Sequence, residues 1–293
     1  GAAVAVARAL ELNPDQTANA MGISGSSASG LLEFSVDGSM IKRLHMGRAS
    51  HLGLESTFLA QKGFTGPHTI LEGSHGFLKV FSPDPHPELL LEGLGETYIM
   101  TASLQIKTYP CHIRAHPFVD ALIRFKAQHS FDAKQVQEIR VFLTPHDAGR
   151  HGQQQPATLL AAQYSIPYSI AVALWRDLVN PQAFGEGTEQ DEQIRNTALG
   201  IRLCNLENSS DGQGPAIRIK ISDEWYHLDA IDYKGSPTNP YTFDDICNKF
   251  RLYASTAMKQ GAIENTLDVV NKLEYVNDIA TLTKLLKPQT LSR

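Results

Sequence analysis

Cysteine is scarce in this chain. Three occur in 293 residues, Cys111, Cys204 and Cys247, far apart and odd in number. Such a set builds no disulfide framework and suits reduced thiols in a cytoplasmic setting. No C-x-x-C pair is present, so the usual thiolate scaffold for zinc or an iron–sulfur cluster is missing. No apolar run approaches the ~18 residues that a membrane-spanning helix needs, and no membrane partner is expected. A basic excess is also lacking. With 31 acidic against 26 basic side chains and a formal charge of -5, the chain has no broad cationic balance, which argues against a nucleic-acid partner.

What is present is a globular composition. Hydrophobic residues make up 42% and charged residues 19%, enough apolar content for one large core or two modest ones and too little charge for overall disorder. The chain opens "GAAVAVARALELNPDQ", an Ala-rich helical run without the order of a signal peptide, and upstream sequence is expected before it. Asn13-Pro14 ends that helix, and Pro14 starts the next. The run of Gly and Ser from Gly22 to Gly30 reads as close helix contact, because no Lys follows it in phosphate-loop order. Further on, Leu52, Leu54, Phe58 and Leu59 recur at helical spacing, with Gly63 as the stop.

The middle of the chain changes character. "SLQIKTY" and "VQEIRVFL" alternate like strands, and "GPAIRIKISDEWYHLDAIDY" reads as a hairpin turning near Ser222-Asp223-Glu224. Helical runs lie between them at "HPFVDALIRFKAQ" and "PATLLAAQYSIPYSIAVALWRDL". "YKGSPTNPYT" reads as a linker, after which Thr242 caps a return to helix. The expected fold class is α+β. A mostly helical domain is built from residues 1–102 and 239–293, with an α+β domain inserted at 103–238.

Two basic clusters stand out on this acidic background. "IKRLHMGRASH" holds Lys42, Arg43, His45, Arg48 and His51 without one acid, in a turn expected to lead into a helix. It is either a solvated basic turn or a grip for an anion, such as a carboxylate at a helix N-terminus. "KTYPCHIRAHP" offers Lys107, His112, Arg114 and His116 around a strand end and a loop. His112 and His116 are four apart, but Pro117 is expected to push His116 out of helical geometry, so a metal pair, and with it a metal hydrolase, is disfavoured. Tyr164 and Tyr168 flank Pro167 in an apolar run, where a core role is the default.

Taken in order, "GISGSSASGLLEF", "DGSMIKRLHMGRASHLGLESTFLAQKGFTGP", "LEGSHGFL", "IKTYPCHIRAHPFVDAL", "YSIPYSIAVAL" and "GSPTNPYTFDDICNKF" resemble the MmgE/PrpD family. That family includes 2-methylcitrate dehydratase, cis-aconitate decarboxylase and iminodisuccinate epimerase. The likeness runs along nearly the whole chain and is specific to the family, not to a substrate. It implies a large helical domain and a smaller α+β lid, a homodimer, and no metal or organic cofactor. It matches Lys42, Lys107, His112 and Tyr168 to active-site positions of the decarboxylase branch. His45, and Arg114 beside His112, are secondary substrate-binding candidates. Family members carry an N-terminal segment with further active-site groups that this chain lacks, so the chain alone is expected to be a poor catalyst. Some dehydratase-branch members carry a carboxylate where His112 stands.

The resemblance thus implies a lyase acting on a small polycarboxylate by cofactor-free acid/base chemistry, 2-methylcitrate dehydratase-like or cis-aconitate decarboxylase-like, with propionate metabolism as one setting. Lys42 and Lys107 would pair with carboxylates in one cleft, His112 would move a proton, and Tyr168 would orient or donate. An iminodisuccinate-type epimerase and a non-catalytic family member remain alternatives, because the same residues permit dehydration, decarboxylation and epimerisation.

Overall fold

A computed structural model describes residues 1–34, 38–206 and 214–287. The chain divides into two compact units, Gly1–Ala102 and Ser103–Arg293. Among the described residues, no helix is long and apolar enough to cross a membrane, and no three His, Cys, Asp or Glu side chains gather as a metal site.

The first unit is helical. Its main elements are α1 (Ala2–Ala9), α2 (Pro14–Ser26) and α3 (Ile41–Gln61), followed by short α4 (Phe77–Phe81) and α5 (Ile99–Ser103) at the boundary. Asn13 caps α2 in a reciprocal box with Gln16, and Pro14 takes the first turn, where its missing N–H costs nothing. Helix α3 ends where the Gly63 N–H bonds the Ala60 carbonyl and the Phe64 N–H bonds the Leu59 carbonyl. The basic cluster, expected in a turn, forms the first half of α3.

The buried face of α3 also differs from the leucine stripe. Gly53, Ser56, Thr57 and Ala60 are buried, whereas Leu54, Phe58 and Leu59 are exposed. Helices α1 and α2 both pack on α3, and small residues let the backbones approach. The Thr57 hydroxyl donates to the Gly53 carbonyl at 2.8 Å and lies 3.1 Å from the Ala3 carbonyl. Ala3, Ala20 and Ala60 make the small core here. At Gly22 an added Cβ would stand 2.5 Å from the Pro67 carbonyl oxygen, so the small-residue run does mark a close approach, made to a loop.

The second unit holds a four-stranded mixed sheet in the order β2-β1-β3-β4. Strand β1 (Val136–Leu143) runs parallel to β2 (Arg202–Asn205) and antiparallel to β3 (Ala216–Ile221), which turns into β4 (Glu224–Asp229). Ser222 and Asp223, at φ 47° and 72°, form the two-residue turn expected at that place. The inner face of the sheet presents Ile139, Val141, Leu143, Ile217, Ile219 and Leu228 to the core. Against it pack α6 (His116–Gln128), through Val119, Leu122 and Phe125, and α9 (Ile166–Trp175), an apolar helix buried almost all round. Helices α7 (Pro145–His151), α8 (Leu159–Tyr164) and α10 (Glu192–Gly200) surround this core.

"SLQIKTY" is not a strand. The Ile106 N–H bonds the Gly235 carbonyl at 2.8 Å, and Thr108 bonds the Lys234 carbonyl and the Tyr241 hydroxyl. Its hydrogen bonds go to the irregular Tyr233–Tyr241 stretch instead of a sheet edge. Gly235 sits at φ +95° with Ile106 O where a Cβ would be, so this contact requires glycine. Thr242 caps α11 (Phe243–Ala254) in a box with Asp245. Helices α12 (Gln260–Asn271) and α13 (Ala280–Leu285) follow. The C-terminal helices, expected beside residues 1–102, are grouped with the sheet. The Lys234 ammonium lies 2.9 Å from the Asp245 carboxylate, and the Lys249 ammonium donates to the Lys107 carbonyl.

Candidate active site

The two basic clusters fall in different units. In the first, Lys42 and His45 stand in the opening turns of α3, a helix with no acid in its first turn. Cations there oppose the helix dipole, and a bound anion would offset both. Lys42 is exposed and His45 half-buried, with Phe34 edge-on to its ring at 5.7 Å. His45 and Arg48 line a cavity of about 720 Å³ that also meets Ser24, Ser27 and Leu44. Lys42 is not in that lining.

In the second unit, His112 ends an extended stretch and caps the 3-10 turn Ile113–Ala115 that leads into α6. Its main-chain N–H donates to the Gln163 carbonyl at 2.7 Å, which fixes it beside the end of α8. The ring stacks on His151 at 4.3 Å, with 25° between planes, and meets Tyr164 at 4.7 Å. Nδ1 of His112 accepts the Arg114 N–H at 3.3 Å. In the neutral ring this leaves the proton on Nε2, as a donor. The Nδ1 of His151 is 3.2 Å from the Tyr164 carbonyl, and burial holds His151 below the usual histidine range. Neutral His151 therefore donates from Nδ1.

Lys107 is exposed, yet its ammonium donates to the Cys111 carbonyl at 3.0 Å, which ties it to the His112 loop. Lys249, held below the normal lysine range by burial, adds a second cation at the Lys107 main chain. Arg114 lies 3.8 Å from Asp147 at the start of α7. The structure thus brings Lys107, His112 and Arg114 onto one short loop.

The histidine expectation changes, and the tyrosine takes the core role that is its default. His116 is helical, the first residue of α6 despite Pro117, and wholly buried between Tyr109 at 5.2 Å and Tyr233 at 5.3 Å. A proline in the first turn tolerates this, because the helix needs no N–H there. Neither ring nitrogen of His116 makes a hydrogen bond. Tyr168 is fully buried in α9 and donates to the Thr188 carbonyl at 2.8 Å; burial pushes its phenol up to about 12. The phenol beside His112 is Tyr164, four residues earlier at the end of α8. Sequence reasoning missed His151 and Lys249, which no local motif marks, since the fold alone carries "HDAGRHG" back to the His112 loop.

Residues 1–90 match the MmgE/PrpD N-terminal domain model, and residues 109–275 match the MmgE/PrpD C-terminal domain model. Cis-aconitate decarboxylase of Aspergillus terreus is 25% identical over 305 residues, covering 97% of this chain and 62% of that protein. The Mus musculus cis-aconitate decarboxylase is 26% identical over 303 residues, covering 98% of this chain and 60% of its own length. The cis-aconitate decarboxylase-like protein oryM of Aspergillus oryzae is 27% identical over 305 residues, with 97% and 62% covered. The chain spans about three-fifths of the length of these curated relatives.

Proposed function

The chain belongs to the MmgE/PrpD family, and from that premise we propose that the protein is a lyase for a small polycarboxylate, acting on cis-aconitate by decarboxylation. The observation that carries this reading is His112, its ring stacked on His151 and touching Tyr164, with Nδ1 accepting the Arg114 N–H and Nε2 as the donor nitrogen. Decarboxylation breaks one C–C bond, releases CO2 and leaves an electron pair on carbon. In cis-aconitate that pair spreads over the adjoining C=C, so one end of the allylic unit must receive a proton, which His112 in its imidazolium form supplies from Nε2 as the ring returns to neutral. Lys107 binds a carboxylate that stays on the substrate. Arg114, on the same loop, is a secondary carboxylate contact. Tyr164 orients His112 by contact, and Tyr168 serves by anchoring α9. None of these steps calls on a metal or organic cofactor.

The test is a panel of cis-aconitate, 2-methylcitrate and an amino-dicarboxylate epimer pair, each incubated with purified protein before and after EDTA dialysis. CO2 release from cis-aconitate, undiminished by dialysis, is expected. Turnover of 2-methylcitrate alone would move the reading to dehydration, and activity restored only by added metal would contradict the cofactor-free chemistry. Tyr164→Phe should preserve more than half of kcat if the ring only orients His112. Tyr168→Phe should lower stability by about 1 kcal/mol, through the lost bond to Thr188.

A further inference from the structure

The outer face of the sheet carries a separate feature. The strand registers place Arg202 opposite Arg140, Arg140 opposite Arg218, and Arg218 opposite His227. One residue from every strand thus joins a single row of three guanidiniums and an imidazole. Like charges directly opposite on neighbouring strands destabilise a sheet. The next row obeys the usual rule, with Glu138 opposite Lys220. A chain of net charge -5 has therefore concentrated cations along one line of its sheet.

The arginines in this row are held. The Arg140 guanidinium lies 4.7 Å from the Trp225 ring centroid, and that of Arg218 lies 5.3 Å from Phe142. Glu138 bridges two of the row, at 2.7 Å from Arg140 Nε and 3.2 Å from Arg202. His227 Nε2 lies 3.1 Å from Asp229. Such contacts fix a planar fork before any ligand arrives, which lowers the entropy lost on binding. Arg140, Arg218, Trp225, Tyr226 and His227 line one cavity of about 300 Å³. That is the small end of ligand sites. Arg140 already lies over the Trp225 ring, so the cavity grips a ligand by its anionic group more than by stacking.

We propose that this cavity binds a small phosphate-bearing molecule, with Arg140 and Arg218 as the fork and His227 at the rim. Guanidinium N–H pairs match phosphate oxygens two at a time. The site is independent of the loop that carries Lys107 and His112.

Trp225 makes the site readable, because Trp175 is the other of the two tryptophans. In a Trp175→Phe background, inorganic phosphate is titrated at constant ionic strength while Trp225 emission is followed. The Trp225 indole N–H resonance in 15N-labelled protein gives the same reading without that substitution. A saturable change is expected, weakened at least tenfold by Arg218→Ala and less by Arg218→Lys, which keeps the charge and loses the fork. No saturable change, an equal change with acetate or chloride, or full retention in Arg218→Ala would overturn the proposal.

Discussion

Lys107→Met is expected to lower kcat/KM toward a polycarboxylate by a factor of 100 or more, about 3 kcal/mol of barrier. The ammonium is already placed by its 3.0 Å bond to the Cys111 carbonyl, one residue from His112. A fixed cation at the reacting loop stabilises charge that builds up when a C–C bond breaks, without reorganising at that moment. Methionine keeps the length of the stem and removes the charge, so the loop should stay folded. The check is steady-state kinetics alongside circular dichroism. A loss confined to KM would assign Lys107 to uniform substrate binding, and wild-type kinetics would remove it from the site.

The second large effect is an acid limb in stability. Burial, reinforced by the charge of Lys107, lowers His116 from the usual histidine value to about 4. Above pH ~6.5 the ring is neutral in both the folded and unfolded chain and contributes nothing to the pH dependence. Between ~6.5 and 4 the unfolded chain takes up a proton that the folded chain refuses, so stability falls as pH falls, by about 3 kcal/mol in all. The carbonyls of Tyr109 and Cys111 oppose the shift in part, yet neither ring nitrogen forms a hydrogen bond. His116→Leu should therefore be less sensitive to acid than wild type and no less stable at pH 7.5. Urea unfolding at half-unit steps from pH 4 to 7.5 measures the difference between the two proteins, which cancels the shared carboxylates. Parallel curves would show that His116 charges freely in the fold.

Local chemistry made much of this fold readable. Asn13-Pro14, Ser222-Asp223 and Thr242 each carry their own turn or cap signal, and each acts where the sequence places it. The α+β class followed from strand alternation in "VQEIRVFL" and from the hairpin. What failed depended on partners. "SLQIKTY" alternates, but a glycine-bearing loop took its hydrogen bonds before any strand could. The leucine spacing of α3 marked the helix but not its buried face, because close packing of three backbones rewards Gly53 and Ala60 over bulk. In the site, Lys107 and His112 were legible as a pair five residues apart. The ring partners of His112 were not, since His151 lies 39 positions away in sequence and reaches it only through the fold.

The most direct measurement is an NMR time course of the protein with 13C-labelled cis-aconitate in D2O, run beside His112→Gln. Labelled bicarbonate and a product carrying one carbon-bound deuterium are expected, with both slowed at least 100-fold in the variant. Unchanged cis-aconitate in the wild-type sample, or equal rates in His112→Gln, would contradict this mechanism.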